Sequence, residues 1–252
     1  MMTKKLINPV FVFALTLCTL SCKEQTATLP SAQQIVDKAI AVSGGDLHRT
    51  SNVSFTFRDR TYTYRLQDGK KVLTRVTLTD STRIEDIKTN TGFQRFVNDA
   101  EVQVSDSMAG RYSNSVNSVH YFAKLPYGLN DVAVNKEFLG EVTINEQEYY
   151  KIKVTFDEVG GGDDFDDVYV YWFNKATFKP DYLAYVFHVD GGGLRFRRAY
   201  NERYIQGIRF VDYENYKAAD KNSPILSMDS LYVKGELELL SKIELDSILV
   251  SS

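Results

Sequence analysis

An acidic, glycine-rich segment contains residues of this sequence that are well suited to chemistry. Residues 157–167 read DEVGGGDDFDD and include Asp163, Asp164 and Asp166. Carboxylates on such a loop can supply the oxygen ligands that a hard cation such as Ca²⁺ prefers. The glycines precede the acids, however, and no glutamate follows at the spacing of an EF-hand loop. Ca²⁺ binding is therefore one interpretation, and a solvated hairpin loop whose charges discourage aggregation is the other.

A second glycine-rich segment joins an acid to a row of arginines. Asp190 precedes three glycines at 191–193, and Arg195 and Arg197 follow them on one face of a predicted strand. The glycines would let the backbone approach an anion or a sugar, with an arginine as its partner. No helix with Lys-Ser or Lys-Thr follows, so this is not a phosphate-binding loop. The alternatives are an exposed basic stripe and a pairing of these arginines with Asp163 or Asp164 of the first loop.

The sequence offers no catalytic constellation. His48, His120 and His188 lie far apart without the spacing of metal ligands, and neither His-Glu-x-x-His nor Gly-x-Ser-x-Gly occurs. Pairs of carboxylates like those of glycosidases are available in any acidic protein, so they do not by themselves indicate catalysis. We therefore predict a protein without catalytic residues, without a metal centre and without a cofactor, apart from the Ca²⁺ alternative.

The first 24 residues predict where in the cell the protein is located. Lys4 and Lys5 precede an apolar run over residues 6–20, which has the length of a signal-peptide core and is short for a membrane span. The run ends in Thr-Leu-Ser-Cys, which resembles the lipobox of bacterial lipoproteins and marks Cys22 as the residue that is lipidated. The predicted organisation is a signal peptide over 1–21, a flexible tether over 22–30 and one β-rich domain over 31–252.

Lipidation of Cys22 would make the membrane a partner, because two or three acyl chains attach a protein stably where one is marginal. The resemblance implies a lipoprotein of the cell envelope, at the outer membrane. Lys23-Glu24 is similar to a short signal for export to the cell surface, and the periplasmic and surface faces both remain open. The alternative is a secretory signal or an uncleaved anchor with an incidental cysteine.

Composition excludes several classes of protein. The 252 residues are 43% hydrophobic and 25% charged, which excludes intrinsic disorder and a collagen-like repeat. The formal net charge of −3 speaks against nucleic acid as a partner, since that would require a basic surface.

The domain begins with a predicted helix and continues with predicted strands. Ser31 and Gln34 have the spacing of a capping box, apolar residues follow at helical intervals, and Gly44-Gly45 can end the helix. From residue 52 the apolar period becomes two, and turn residues separate the runs. Strands so close in sequence pair antiparallel.

A predicted mid-chain helix interrupts the strands. Tyr112, Val116, Val119 and Phe122 recur at intervals of four and three and form one face. We expect this helix to cover the sheet, or to form a mobile lid over a cavity. Trp172 lies in a strand that is apolar on both faces, which predicts a central strand covered on both sides. These five residues are the candidate ligand-binding residues.

These elements predict a mostly β (α+β) fold. We expect a single strongly curved antiparallel sheet, or half-barrel, of roughly ten strands, which is near the upper limit for an open sheet. The N-terminal helix and the mid-chain helix would pack on its concave face.

The element order resembles the half-barrel of the lipoprotein-carrier proteins and the outer-membrane lipoprotein receptor of Gram-negative envelopes, which hold acyl chains on a concave apolar face. Segments 32–45, 160–174 and 190–216 resemble an uncharacterised family of Bacteroidota lipoproteins that has no established activity. The resemblance implies a non-catalytic, membrane-anchored module for a hydrophobic ligand, such as an acyl chain, a lipid or a lipoprotein. A surface glycan-binding or glycan-processing lipoprotein and a structural envelope protein with a filled core are the alternatives.

Overall fold

The structure is a computed structural model, and it describes residues 29–67, 69–161, 165–188 and 191–251. Within these ranges the chain forms four α-helices: α1 (Ala32–Val42), α2 (Leu47–Thr50), α3 (Asp106–Ala123) and α4 (Met228–Val233). The first seven strands are β1 (Asn52–Phe57), β2 (Arg60–Gln67), β3 (Lys70–Leu78), β4 (Arg83–Thr89), β5 (Gly92–Val97), β6 (Ala100–Val102) and β7 (Val134–Ile144). The other strands are β8 (Gln147–Phe156), β9 (Val168–Asn174), β10 (Pro180–Phe187), β11 (Gly193–Ile205), β12 (Ile208–Ala218), β13 (Leu237–Ile243) and β14 (Asp246–Ser251).

The described strands form two antiparallel sheets of seven strands each. The N-terminal sheet has the order β14-β1-β2-β3-β4-β5-β6, and the C-terminal sheet has the order β13-β12-β11-β10-β9-β8-β7. The mostly β, antiparallel prediction is confirmed, but the single sheet of roughly ten strands is wrong. The chain passes between the sheets at β13 and β14, because β13 pairs with β12 whereas β14 pairs with β1.

The break between β13 and β14 has a visible cause. Asp212 accepts a hydrogen bond from the backbone N–H of Leu245 at 2.9 Å and forms an ion pair with Arg203. Arg203 also donates a hydrogen bond to the Leu245 carbonyl. Ser247 has a positive φ of 50°. These contacts fix a bend inside residues 242–248, which the sequence predicts as one strand.

The helix α1 forms as the sequence predicts. Gln34 N–H donates to the Ser31 hydroxyl at 3.2 Å, and Ser31 N–H donates to the Gln34 side-chain oxygen at 2.9 Å. Gly44 has a φ of +119°, and a Cβ there would lie 3.1 Å from the Ile208 Cα, so the end of α1 requires glycine for both reasons. Ile35, Val36 and Ala39 pack on the C-terminal sheet beside Tyr171 and Phe173.

The helix α3 lies between the two sheets. Its Val116 packs against Tyr64 and Leu73 of the N-terminal sheet. Near its end, the hydroxyl of Tyr121 lies 2.6 Å from that of Tyr171 in the C-terminal sheet. Asn and Ser residues in α3 favour a helix weakly, so these contacts on both sides supply its stability.

Candidate functional site

A cavity of about 350 Å³ lies between α3 and the C-terminal sheet, and we call it the main cavity. This volume is within the range of about 300–1,000 Å³ that is usual for ligand pockets. The helix contributes Val119 and Phe122, and the end of β1 contributes Phe57. Strands β9 to β13 contribute the opposite wall, which includes Tyr169, Tyr185, Phe187, Arg195, Arg197, Val211, Tyr213, Asn215, Ser241 and Ile243.

Aromatic rings form most of the apolar wall. Phe122 contacts Tyr185 with ring centroids 5.4 Å apart, and Tyr185 stacks on Tyr169 at 5.3 Å. Adjacent positions on neighbouring strands produce this row, because Tyr185 of β10 is paired with Tyr169 of β9 and with Arg195 of β11. The register of the C-terminal sheet therefore builds the wall.

Arg197 is a buried, charged residue in the wall of the main cavity. It is 7% exposed, and its guanidinium carbon lies 3.6 Å from the centroid of the Phe122 ring. Nη2 donates to the Tyr185 hydroxyl at 2.8 Å. Nε and Nη1 are buried and find no acceptor in the described part of the chain. A buried cationic donor without an acceptor is costly, because burial removes its hydration.

The remaining charges of the main cavity are also mainly positive. Arg58 and Arg195 line it together with Asp167. Burial raises the pKa of the Tyr169 phenol and of the Tyr213 phenol, so both stay neutral at physiological pH. The described lining residues therefore include three arginines and one aspartate, so the formal charge of this largely apolar wall is positive.

A second cavity of about 360 Å³ lies beside α3 and shares Ser118, Phe122 and Tyr169 with the main cavity. Its wall is more polar and includes Lys71, Lys88, Lys124, Asn114, Asn117 and Asp131. Lys124 lies 3.8 Å from the centroid of the Tyr64 ring. Burial, together with the nearby charge of Lys71, lowers the pKa of Lys124 to about 8.

The candidate ligand-binding residues of α3 separate into two groups. Val119 and Phe122 line the main cavity. Val116 is fully buried against the N-terminal sheet, and Tyr112 covers the guanidinium of Arg95 at 3.4 Å. Neither Val116 nor Tyr112 lines the main cavity.

Trp172 lies on the opposite face of the C-terminal sheet from the main cavity. Side chains of β9 alternate, so Tyr169 and Tyr171 face α3 and α1 whereas Trp172 packs under α4 beside Met228. Its indole N–H donates to Asp229 at 3.0 Å. The prediction that both faces of this strand are covered is confirmed, but the assignment of Trp172 to the ligand wall is corrected.

The glycine-rich segments are described in part. Cys22, Asp163, Asp164 and Asp190 lie outside the described residues. Asp166 is exposed and lies 3.9 Å from the exposed His188. Arg195 and Arg197 line the main cavity, so an exposed basic stripe is the wrong interpretation, at least for Arg197, which is buried.

Sequence reasoning missed the tyrosines that form the wall. Tyr169, Tyr185 and Tyr213 stand at alternating positions in strands that were recognised as apolar. The alternation shows which residues share a face, but not which face of the sheet meets α3. The signal that could have found them is the register of β9 and β10, which places Tyr169 beside Tyr185.

Metal ligands are not gathered in the described ranges, where no three His, Cys, Asp or Glu residues form a group that could hold an ion. His48 and His120 are buried, and each has one ring nitrogen within hydrogen-bond distance of a backbone carbonyl. Of the helices described above, none has the length and apolar character needed to cross a membrane.

A family model described as a family of unknown function, DUF6503, matches residues 8–245. The chain belongs to this family. This confirms the expected membership of an uncharacterised family, and membership assigns no activity. No curated protein matches the sequence.

Three solved structures are similar to this chain at low sequence identity. A LolA superfamily protein from Nitrosomonas europaea is 13% identical with a TM-score of 0.46, covering 89% of this chain and 93% of its own. A DUF1329 family protein from Desulfovibrio piger is 14% identical with a TM-score of 0.46, covering 88% and 92%. The lipoprotein LppX from Mycobacterium tuberculosis is 12% identical with a TM-score of 0.27, covering 64% and 91%.

Proposed function

We propose that this protein is a membrane-tethered, non-catalytic binding module that holds a hydrophobic ligand in the main cavity. The observation that carries the proposal is the space of about 350 Å³ between α3 and the C-terminal sheet, with its wall of Phe122, Tyr169 and Tyr185. A solidly packed interior would have favoured a structural envelope protein. An apolar wall of this size gains free energy by covering the hydrocarbon of a ligand.

The proposal is tested by native mass spectrometry of the delipidated full chain with saturated fatty acids and fatty alcohols. We expect a complex with one ligand for each chain. Ser241→Trp places an indole in the main cavity and should weaken binding at least about tenfold, because it occupies space that the ligand needs.

Ser54→Trp is the matched control for the cavity-filling variant. Ser54 alternates with the buried Val53 and Phe55 on β1 and does not line the main cavity. We expect Ser54→Trp to bind the same ligands as the original protein does. Equal binding by both variants would place the ligand elsewhere, and no uptake of any fatty acid or alcohol would refute the proposal.

The tether forms a separate part of the proposal and rests on the lipobox-like sequence before Cys22. In a lipoprotein-processing bacterium we expect the chain to incorporate labelled palmitate and to sediment with membranes. Cys22→Ala should remove both label and sedimentation, whereas Cys18→Ala should keep them. Labelling that persists in Cys22→Ala would show that the residue is not the anchor.

A further inference from the structure

We propose that the main cavity selects an acyl chain with an anionic head group, a carboxylate or a phosphate, and that Arg197 binds this head. The inference rests on the proposed function and narrows it from hydrophobic ligands in general to anionic amphiphiles. It predicts a discrimination between charged and uncharged ligands that have the same hydrocarbon chain.

The fold holds the Arg197 guanidinium rigidly. It lies over the Phe122 ring at 3.6 Å and beside the Tyr185 ring at 5.1 Å, and Nη2 donates to the Tyr185 hydroxyl. The two aromatic faces attract the cation without supplying a counter-charge. The guanidinium is thus positioned before any ligand arrives, which reduces the entropy lost on binding.

Two nitrogens of this guanidinium still lack acceptors. Nε and Nη1 are buried, and no described protein group accepts a hydrogen bond from either of them. Arginine stays protonated, so the group cannot relieve the cost of burial by losing its proton. An oxygen anion at the wall of the main cavity would supply both the acceptor and the opposite charge, in a charge-assisted hydrogen bond.

The main cavity has both charged and apolar residues in its wall. Arg195 and Arg58 line the same cavity, so its summed charge is positive even with Asp167 present. Arg195 donates from Nη1 to the carbonyl of the neighbouring Leu194, whereas Nε and Nη1 of Arg197 are buried without an acceptor among the described groups. Apolar side chains that could cover a hydrocarbon chain complete the wall, namely Val119, Phe187, Val211 and Ile243.

The test compares three ligands with the same hydrocarbon chain, which are dodecanoate, dodecyl phosphate and dodecanol. Their affinities for the delipidated full chain are measured by competition in native mass spectrometry or by calorimetry. We expect at least one of the two anions to bind at least about tenfold more tightly than dodecanol, because only an anion brings the opposite charge together with the acceptor. A preference for dodecanoate would indicate a free fatty acid, and a preference for dodecyl phosphate would indicate a phospholipid-like head.

Arg197→Met keeps the length of the side chain and removes its charge. We expect this variant to lose the preference for anions and to bind dodecanol within about threefold of the original affinity. Arg195→Met is the control, because it removes a positive charge from the same cavity, and it should change the preference by less than about threefold. Circular dichroism and thermal unfolding verify that both variants are folded.

The outcomes separate this inference from the proposed function. If the unaltered protein binds dodecanol and the anions equally, the role of Arg197 is overturned, and this result requires no variant. The proposed function, a cavity for a hydrophobic ligand, would still stand. A preference that persists in Arg197→Met also overturns the role of Arg197. Failure of all three ligands to bind would overturn the proposed function itself.

Discussion

Replacement of Asp86 by alanine should lower the free energy of unfolding by about 3–5 kcal/mol. Asp86 is 1% exposed and stands between two arginines on adjacent strands, with Arg75 Nη2 at 2.6 Å and Arg95 Nε at 2.7 Å. The three residues are direct cross-strand neighbours on β3, β4 and β5. Removal of the carboxylate would leave two guanidinium groups without their counter-ion under α3, and that residual cost dominates the change.

Urea unfolding followed by circular dichroism measures this effect. Glu137→Ala is the matched control, because Glu137 is 64% exposed where it pairs with its cross-strand neighbour Lys153, and such surface pairs contribute about 0–1 kcal/mol. A loss of less than about 1 kcal/mol in Asp86→Ala would mean that water reaches the two arginines and screens them. The triple replacement Arg75→Met, Asp86→Leu and Arg95→Met should recover most of the lost stability, since an apolar substitute removes the unpaired charges.

This charged group also positions one wall of the main cavity. Arg75 Nη1 donates to the Ser115 hydroxyl at 2.6 Å, and Arg95 lies against the Tyr112 ring. Both contacts fix the first half of α3 on the N-terminal sheet, so the second half presents Val119 and Phe122 to the C-terminal sheet. A helix of weak intrinsic propensity thereby acquires a defined position.

Local structure could be predicted well from the sequence. The capping box at Ser31 and Gln34 forms as the spacing indicates, and the strand apolar on both faces lies between β8 and β10 with helices on each side. Such features depend on neighbours within a few residues, which a periodic pattern reports directly.

The division into two sheets could not be predicted in this way. The sequence predicts one strand over residues 242–248, and the contacts that bend the chain at Leu245 come from Asp212 and Arg203, which are distant in sequence. Similarly, the period of two in β3 separates one row of side chains from the other but does not show which row meets α3. In the structure, Leu73 and Arg75 of one row contact α3 through their side chains. Alternation identifies two faces, and tertiary packing decides which one is covered.

The candidate site was predicted in fragments. The sequence predicts Phe122 on a helix face and Arg197 on a strand that follows a glycine-rich segment, and the structure brings them to 3.6 Å in one cavity. Trp172 was the reasonable choice from its size and apolar neighbours, yet a side chain one position from Tyr171 must face the other way. Site residues from α3 and β11 meet only through long-range pairing, which spacing along the chain does not encode.

Acid should lower the stability of the protein through the buried His120. His120 is 1% exposed between the rings of Phe55 and Tyr62, and its Nε2 lies 3.0 Å from the carbonyl of Thr74. Burial lowers the pKa of His120 from 6.5 to about 3. A carbonyl can only accept, so the bonded nitrogen carries the proton, and the other nitrogen has no partner among the described groups.

The direction of the pH dependence follows from this lowered pKa. Above about pH 6.5 the folded and unfolded chains are both neutral at His120, and its full contribution to stability is present. As the pH falls toward 3, the unfolded chain binds a proton that the folded chain excludes, so stability is lost. At about 1.4 kcal/mol for each pH unit, the free energy of unfolding should fall by about 2–3 kcal/mol between pH 7 and pH 4.5 through this group.

Urea unfolding at those two pH values, in the original protein and in His120→Gln, measures this loss. Glutamine keeps a donor for the Thr74 carbonyl but takes up no proton in either state, so the variant should lose about 2 kcal/mol less stability on acidification. His188→Gln makes the same substitution at an exposed histidine and is measured alongside as the control. An unchanged loss in His120→Gln would assign the acid sensitivity to His48, whose pKa burial lowers to about 4, and to carboxylates.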